Sequence, residues 1–328
     1  MKYYLLPQNG NLYKANMHCH TTVSDGKHTV EEMKEAYKAK GYNIIAYSDH
    51  AGTKIKITEH SDLNDDTFLA LTSGEIALGD PLQRGGTANT ARSCHFNVIA
   101  RDPHNFEQLD LDGAGSCDGE MFNKILKQCV DKNYIVNINH PNWSLLNENE
   151  FLNFEHCTGF EIYNCITSNF GGALSYSYDV YINGLRNGKR WFAIGGDDSH
   201  SHNSDFRHPL NDSFGAFTYY KAPSLTYDNI IKALENGDCY CSMGPVIKDL
   251  YIENGILYVV TSGVKSVTVS TDSRYQPFIR AEKNSELTTA QIKLDKDKFS
   301  KFIVVDVVDG KGMHAITRPY YLGENFEL

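Results

Sequence analysis

His18-Cys19-His20 ends a short apolar run, Asn16 to His20, that reads as a β-strand. Side chains in a strand alternate between its faces, so a His-x-His pair directs both imidazoles the same way. Asp25 follows in a Ser-Asp-Gly loop. Ser48-Asp49-His50 ends a second apolar run, and Glu75 follows a third in Ser-Gly-Glu. His95 opens Cys-His-Phe-Asn-Val, His140 ends Tyr-Ile-Val-Asn-Ile-Asn just before Pro141, and Asp198-Ser199-His200 follows Trp-Phe-Ala-Ile-Gly-Gly. Most of these residues fall at the carboxyl end of an expected strand, where parallel α/β proteins build their sites. That many imidazoles and carboxylates gathered in one dry place are hard to satisfy without cations. A polynuclear metal site is therefore expected. The mixed donors suit Zn, Mn or Fe rather than Ca, and leave the choice among them open.

The elements that must position these residues alternate up to about residue 240. Thr29-x-x-Glu32 is a capping-box pattern opening a helix over Val30 to Lys40 that stops at Gly41. Tyr42 to Tyr47, Leu69 to Ser73, His95 to Ala100, Tyr134 to Asn139, Gly159 to Tyr163 and Trp191 to Gly195 read as strands, and Glu120 to Asn133, Leu174 to Asn187 and Tyr227 to Asn236 as helices. Strands alternating with helices predict a parallel sheet, barrel or doubly wound. After Met243-Gly-Pro245 the texture changes to β-type runs: Leu250 to Ile252, Ile256 to Val260, Ser266 to Ser270 and Phe302 to Val308, with no convincing helix. This pattern predicts a small antiparallel β-sandwich over 244–328, following a catalytic unit over 1–243.

Composition narrows the function classes. The 328 residues carry 31 Lys+Arg against 41 Asp+Glu, a net charge of −10, which argues against broad nucleic-acid binding. That argument weakens where cations sit among the acids and invert the local potential. No stretch approaches the roughly 18 apolar residues of a membrane span, and the start lacks the basic and apolar segments of a signal peptide. The 8 Cys are thinly spread and mostly lie in apolar or helical stretches. They read as free buried thiols in a reducing, cytoplasmic compartment. Cys239-Tyr-Cys241 has the wrong spacing for a zinc knuckle.

The series His18-Cys-His20-Thr-Thr-Val-Ser-Asp25-Gly, Ser-Asp-His50, Gly-Glu75, His95, His140-Pro and Asp198-Ser-His200 resembles the full motif set of the PHP (polymerase and histidinol phosphatase) superfamily, in order, over about residues 10 to 243. Glu-Asn-Gly-Asp-Cys-Tyr-Cys-Ser-Met-Gly-Pro245 followed by a β-domain is similar to a subgroup that includes carbaryl-hydrolase-type metallohydrolases. The resemblance implies a distorted (β/α)7 TIM-like barrel holding three divalent metals. His18, His20, Glu75 and Asp198 would hold the first metal, with Glu75 bridging to a second held also by His95 and His140. Asp25, His50 and His200 would hold the third. Some relatives have His at the position of Asp25. No ligand position is lost, which counts against a vestigial copy.

Two cations about 3.5–4 Å apart can share a water and make hydroxide available near neutral pH, to attack phosphorus in line. A Ser or Cys nucleophile is then unnecessary, and Cys19 reads as a packing residue. Arg84, Arg92, Arg101 and Arg207 are the candidate phosphate partners, with Arg92 near His95 and Arg207 in the loop after His200; each reads more simply as a solvated loop arginine. His202 and His208 are candidate proton donors to a leaving group, and read more simply as exposed loop histidines. Asp49 and Asp197 adjoin ligands and are candidate orienters. Tyr163, Trp143 and Phe170 are candidate stacking surfaces for a base or ring, or rim packing. The expected activity is a metal-dependent phosphoesterase acting on a small phosphorylated substrate, a phosphomonoester or a nucleotide or oligonucleotide phosphodiester. The alternatives are a carbamate, ester or amide hydrolase using the same site, and a non-catalytic binding protein. Substrate, metal identity, oligomeric state and the role of the β-domain stay open.

Overall fold

A computed structural model describes the chain apart from residues 53, 80–92, 112–118, 146–147, 170–173 and 204. The protein is mixed α/β, with one large mixed sheet and few helices. The first part carries strands β1 (Lys2–Tyr4), β2 (Asn11–Cys19), β3 (Ile44–Tyr47), β4 (Leu69–Leu78), β5 (Cys94–Ala100), β6 (Tyr134–Ile138), β7 (Gly159–Asn164), β8 (Phe192–Gly196), β9 (Phe217–Ala222) and β10 (Cys239–Ser242). Between them lie helices α1 (Val30–Lys38), α2 (Gly119–Asp131), α3 (Glu148–Leu152), α4 (Cys165–Asn169), α5 (Tyr178–Arg186) and α6 (Tyr227–Asn236). The remainder is β11 (Ile247–Glu253), β12 (Ile256–Val264), β13 (Ser266–Thr271), β14 (Phe278–Arg280), β15 (Leu287–Lys293), β16 (Phe302–Val308), β17 (His314–Thr317) and β18 (Tyr320–Tyr321).

Local chemistry explains several boundaries. The Thr29 hydroxyl accepts from the Glu32 N–H at 3.3 Å while the Glu32 carboxylate accepts from the Thr29 N–H at 2.9 Å, the reciprocal box that starts α1. α6 ends at Gly237, whose φ of 68° suits a residue without a Cβ. α5 begins later than the helix expected from Leu174. Tyr176 bridges Tyr163, and the Ser177 N–H donates to the Ile162 carbonyl, so the backbone before Tyr178 is committed to β7.

β2, β3 and β4 pair in parallel, as do β6, β7 and β8, but β5 runs antiparallel to both β4 and β6. The expectation of a wholly parallel sheet is corrected here. A helix between two strands does not fix their relative direction, and α2 links the antiparallel pair β5 and β6. Beyond β8 the chain returns to β2. Ser199 bridges Cys19, the Asp198 N–H donates to the His18 carbonyl at 2.9 Å, and the His20 N–H donates to the Ser199 carbonyl at 3.0 Å. The carboxyl ends of β2 and β8 thus meet at the histidine pair. α6 closes the other side of this region by packing Ile230, Ile231 and Leu234 with Met17, Ile44, Leu69 and Ile194.

The hydrogen bonding continues past residue 243. β10 pairs with β9 on one edge and β17 on the other, which leads through β16 to β13 and β14. A second sheet has the order β1-β11-β12-β15. β11 and β12 alternate buried and less buried positions, as strands with one covered face do. Their inward residues Leu250, Ile252, Leu257 and Val259 share a core with Val267, Val269, Ile303 and Val305 of the first sheet. Leu5 and Leu6 join that core, so the first residues of the chain pack with the last. Among the described residues Cys19, Cys129, Cys157, Cys239 and Cys241 are free thiols, and no helix is long and apolar enough to cross a membrane.

Candidate metal centre

The strand ends β2, β4, β5 and β6 and the segment after β8 deliver His18, His20, Glu75, His95, His140, Asp198 and His200 to one place, joined by Asp25 and His50 from the loops after β2 and β3. Glu75, 1% exposed, lies at the centre. Its Oε1 is 3.2 Å from His18 Nε2, 3.1 Å from His95 Nδ1 and 3.3 Å from His140 Nε2. Its Oε2 is 3.4 Å from His20 Nε2 and 3.1 Å from His50 Nδ1. Asp198 Oδ1 lies 3.2 Å from His18 Nε2, 3.1 Å from His20 Nε2 and 3.5 Å from His200 Nδ1. Asp25 reaches His20 Nδ1, His50 Nε2 and His200 Nε2, each at 3.4 Å.

Among the described residues, three overlapping groups of donors are close enough to hold a metal ion: His20, Asp25, His50 and His200; His18, His20 and Asp198; and His18, Glu75 and His140. All nine residues expected to be ligands are therefore near one another, with His95 drawn in through Glu75. The grouping differs in detail from the expected one. His20 also faces the outer set, and Glu75 touches imidazoles of every set.

The contacts themselves fit divalent cations. Asp198 Oδ1 and His50 Nδ1 are buried and have no hydrogen-bond partner, although nitrogen and oxygen atoms lie within 3.1–3.5 Å of them. His18 Nε2 and His20 Nε2 face each other at 3.2 Å. Lone pairs aimed at a common point, rather than along donor–acceptor lines, are what coordinating atoms present to an ion.

Electrostatics point the same way. Burial by itself would strip the proton from His18, but Asp198, Glu75 and Glu161 outweigh it and push the imidazole up to about 10. Burial is likewise outweighed at His20, which is held well above its ordinary value by Asp198, Asp25 and Glu75. Glu75 and Asp198 are buried yet held well below the usual carboxylate range by the histidines, and Asp25 is held low in the same way. The cluster is built for strong positive charge. Protons supply it when no cation is bound, and cations would replace them.

A surrounding layer fixes these donors. Glu161 on β7 is 3% exposed and places Oε1 3.1 Å from His18 Nδ1, which leaves Nε2 for the centre. Its Oε2 accepts from the His140 N–H at 2.6 Å and from Asn164 Nδ2 at 3.0 Å. Asn139 Nδ2 donates to Glu75 Oε1 at 2.7 Å and to Asn97 Oδ1 at 2.9 Å. Asp212 accepts from the Ser201 N–H at 3.0 Å and lies 3.1 Å from His202 Nδ1. Gly196 is needed where it stands, because a Cβ there would meet Glu161 Oε1 and His18 Cβ at 2.6 Å. Asp198 and His140 hold φ of 54° and 24°, strain of the kind concentrated at functional sites. Glu161, Asn139, Asn164 and Asp212 were not legible in the sequence. A charged residue inside the apolar run Gly-Phe-Glu-Ile was the one available signal.

Asp49 and Asp197 hold loops rather than imidazoles. Asp49 accepts from the Thr21 and Ser24 N–H and hydroxyl groups at 2.7–3.1 Å, fixing the turn that carries Asp25. Asp197 accepts from the Tyr37 hydroxyl and the N–H groups of Phe214, Gly215 and Ala216 at 2.7–2.9 Å. Cys19 is buried and its thiol is pushed far up by desolvation, as suits a packing residue.

Seven of the donors, all but His18 and His20, line a cavity of about 320 Å³ with Trp143, Ile166, Thr167 and His202. Of the expected proton donors, His202 is at this cavity, whereas His208 is exposed and accepts from the Leu210 N–H. Arg207 is not brought to the site. Its side chain is 90% exposed and paired with Asp205 at 3.0 Å, because both lie on the same outward turn. Arg101 pairs with Glu235 of α6 at 2.6 Å, away from the centre. Arg84, Arg92 and Phe170 lie outside the described residues. Tyr163 is half-buried and is not among the residues lining the cavity, unlike Trp143.

No protein-family model matches the sequence, and no curated protein matches it. Solved structures resemble it weakly. A two-domain protein containing a predicted PHP-like metal-dependent phosphoesterase from Bacteroides vulgatus is 14% identical over 98% of both chains, with a TM-score of 0.48. A candidate metal-dependent phosphoesterase from Bifidobacterium adolescentis is 13% identical over 63% of this chain and 93% of its own, with a TM-score of 0.37. The lesion-specific endonuclease EndoQ from Pyrococcus furiosus is 12% identical over 69% of this chain and 56% of its own, with a TM-score of 0.41. At such scores the chemistry rests on the geometry of this chain's own residues.

Proposed function

We propose that this chain is a metal-dependent phosphoesterase of the PHP type that hydrolyses a small phosphorylated substrate. The observation that carries the reading is Glu75, buried among five imidazoles within 3.4 Å and flanked by Asp198 and Asp25. His18, His20, Asp25, His50, Glu75, His95, His140, Asp198 and His200 would hold three divalent cations, Zn, Mn or Fe. Bound cations would neutralise phosphoryl oxygens and bring the pKa of a water towards neutrality. In this reading the strands β2 to β8 form a distorted (β/α)7 barrel, and the strands after residue 243, joined by β1, an accessory β-sandwich.

The chain's own residues have separable tasks. Glu161 and Asn139 orient His18 and Glu75 through hydrogen bonds. His202 stands at the cavity with Nδ1 against Asp212, which orients the ring so that its imidazolium form would pass the Nε2 proton to a departing alkoxide.

A hydrolysis screen of Mn- and Zn-loaded protein across phosphomonoesters, phosphodiesters and aryl carbamates tests the reading. Turnover of phosphate esters that chelator abolishes is the expected result. Turnover of carbamates alone would replace it with an acyl hydrolase on the same donors.

A further inference from the structure

Trp143 is the one apolar aromatic side chain among the described residues that line the cation cavity. Its indole packs on two candidate ligands, with ring centroids 4.8 Å from His140 and 5.5 Å from His95. It is nevertheless 36% exposed, where a purely structural tryptophan such as Trp191 is 2% exposed. Ile166 lines the same cavity. Coordination and proton transfer need neither an indole nor an isoleucine. An apolar wall beside charged donors sorts substrates by what the phosphate is attached to.

We propose that Trp143 is a specificity-determining residue, a stacking platform for an aromatic ring carried on the alcohol side of the phosphoester. The substrate class is an aromatic phosphate ester: an aryl-alkyl phosphate, with the ring next to the phosphate, or a nucleotide, with the ring beyond a sugar. This rests on the phosphoesterase reading of the same site. The ring gains the flat face of the indole, while the phosphate remains at the donors that surround Glu75. Indole stacking of this kind is worth about tenfold or more in binding.

The test uses two matched pairs with similar leaving groups: benzyl phosphate against propyl phosphate, and AMP against ribose 5-phosphate. One pair should show a kcat/KM preference of about tenfold for its aromatic member, and which pair does so identifies the source of the ring. Trp143→Ala should reduce that preference to near unity, and Trp143→Phe should restore most of it, at unchanged metal content. Trp143→Ala lowering both members equally, with the preference intact, would show that the indole only props His95 and His140, and would overturn the proposal. So would a wild-type protein with no preference in either pair. Should no phosphate ester be turned over at all, fluorescence quenching by benzyl phosphate but not propyl phosphate, or by AMP but not ribose 5-phosphate, that is lost in Trp143→Phe still reads the stack, and its absence with both pairs rejects it.

Discussion

His18 is held from both sides: Nδ1 lies 3.1 Å from Glu161 Oε1, and Nε2 lies 3.2 Å from both Glu75 and Asp198. The outer carboxylate holds the Nδ1 proton, so Nε2 is the nitrogen that gives up its proton and turns its lone pair to a cation when one binds. Glu161 is therefore predicted to matter for metal affinity without being a ligand. Glu161→Gln should weaken cation binding about 10–100-fold, read by titration calorimetry, with the fold retained by circular dichroism. Unchanged affinity would leave Glu161 as a structural residue only.

Glu75 and Asp25 should differ sharply. Glu75→Gln removes a buried charge that faces five imidazoles, whereas Asp25 is on a loop with its side chain 52% exposed. Without Glu75 the repulsion between neighbouring dications is uncompensated, several kcal/mol at about 4 Å even at moderate effective dielectric. Glu75→Gln should lose at least one cation and lower turnover by orders of magnitude. Asp25→Asn should mainly deplete the outer group. Metal analysis and rates on the two variants side by side check this, and full metal content in Glu75→Gln would refute its central role.

Cation binding should release protons. His18, at about 10, and His20, also raised, carry protons near neutral pH when the site is free of cations. Lone pairs that take a cation must give those protons up, so apparent affinity should fall as pH drops. Calorimetry in buffers of different ionisation enthalpy should count about one proton or more per chain. The sign for stability follows. A raised histidine stabilises the fold fully below its ordinary value of 6.5 and loses that contribution as pH rises through about 10. Chelator-treated protein should therefore lose thermal stability across this window, and cation-loaded protein should not.

Asp197 is predicted to be a stability residue. Burial pushes its carboxyl up to about 7, although three N–H groups and the Tyr37 hydroxyl donate to it. Asp197→Ala leaves those buried donors without an acceptor, at a cost of about 3 kcal/mol. A melting temperature lower by several degrees is expected, with metal content checked in the same sample. An unchanged melt would show that the loop at 214–216 relaxes around the loss.

The candidate ligands were legible because their signal is local. A strand alternates its faces, so His18-Cys19-His20 alone tells that both imidazoles share a side, and strand-end positions for Glu75, His140 and Asp198 follow from the apolar runs before them. The capping box of α1 and the glycine stop of α6 are equally local. Pairing over long sequence separation is not. Nothing near β5 states that it runs antiparallel to both neighbours, and nothing in Lys2 to Tyr4 states that it pairs with β11. Glu161 and Asp212 look like any acid in a strand or loop until the fold sets them against His18 and His202. Arg207 had the right chemistry and the wrong direction, since its turn faces solvent. Residue type and period determined which groups were able to bind cations. The return of the chain from β8 to β2, made by backbone hydrogen bonds between residues about 180 apart, decided that they meet.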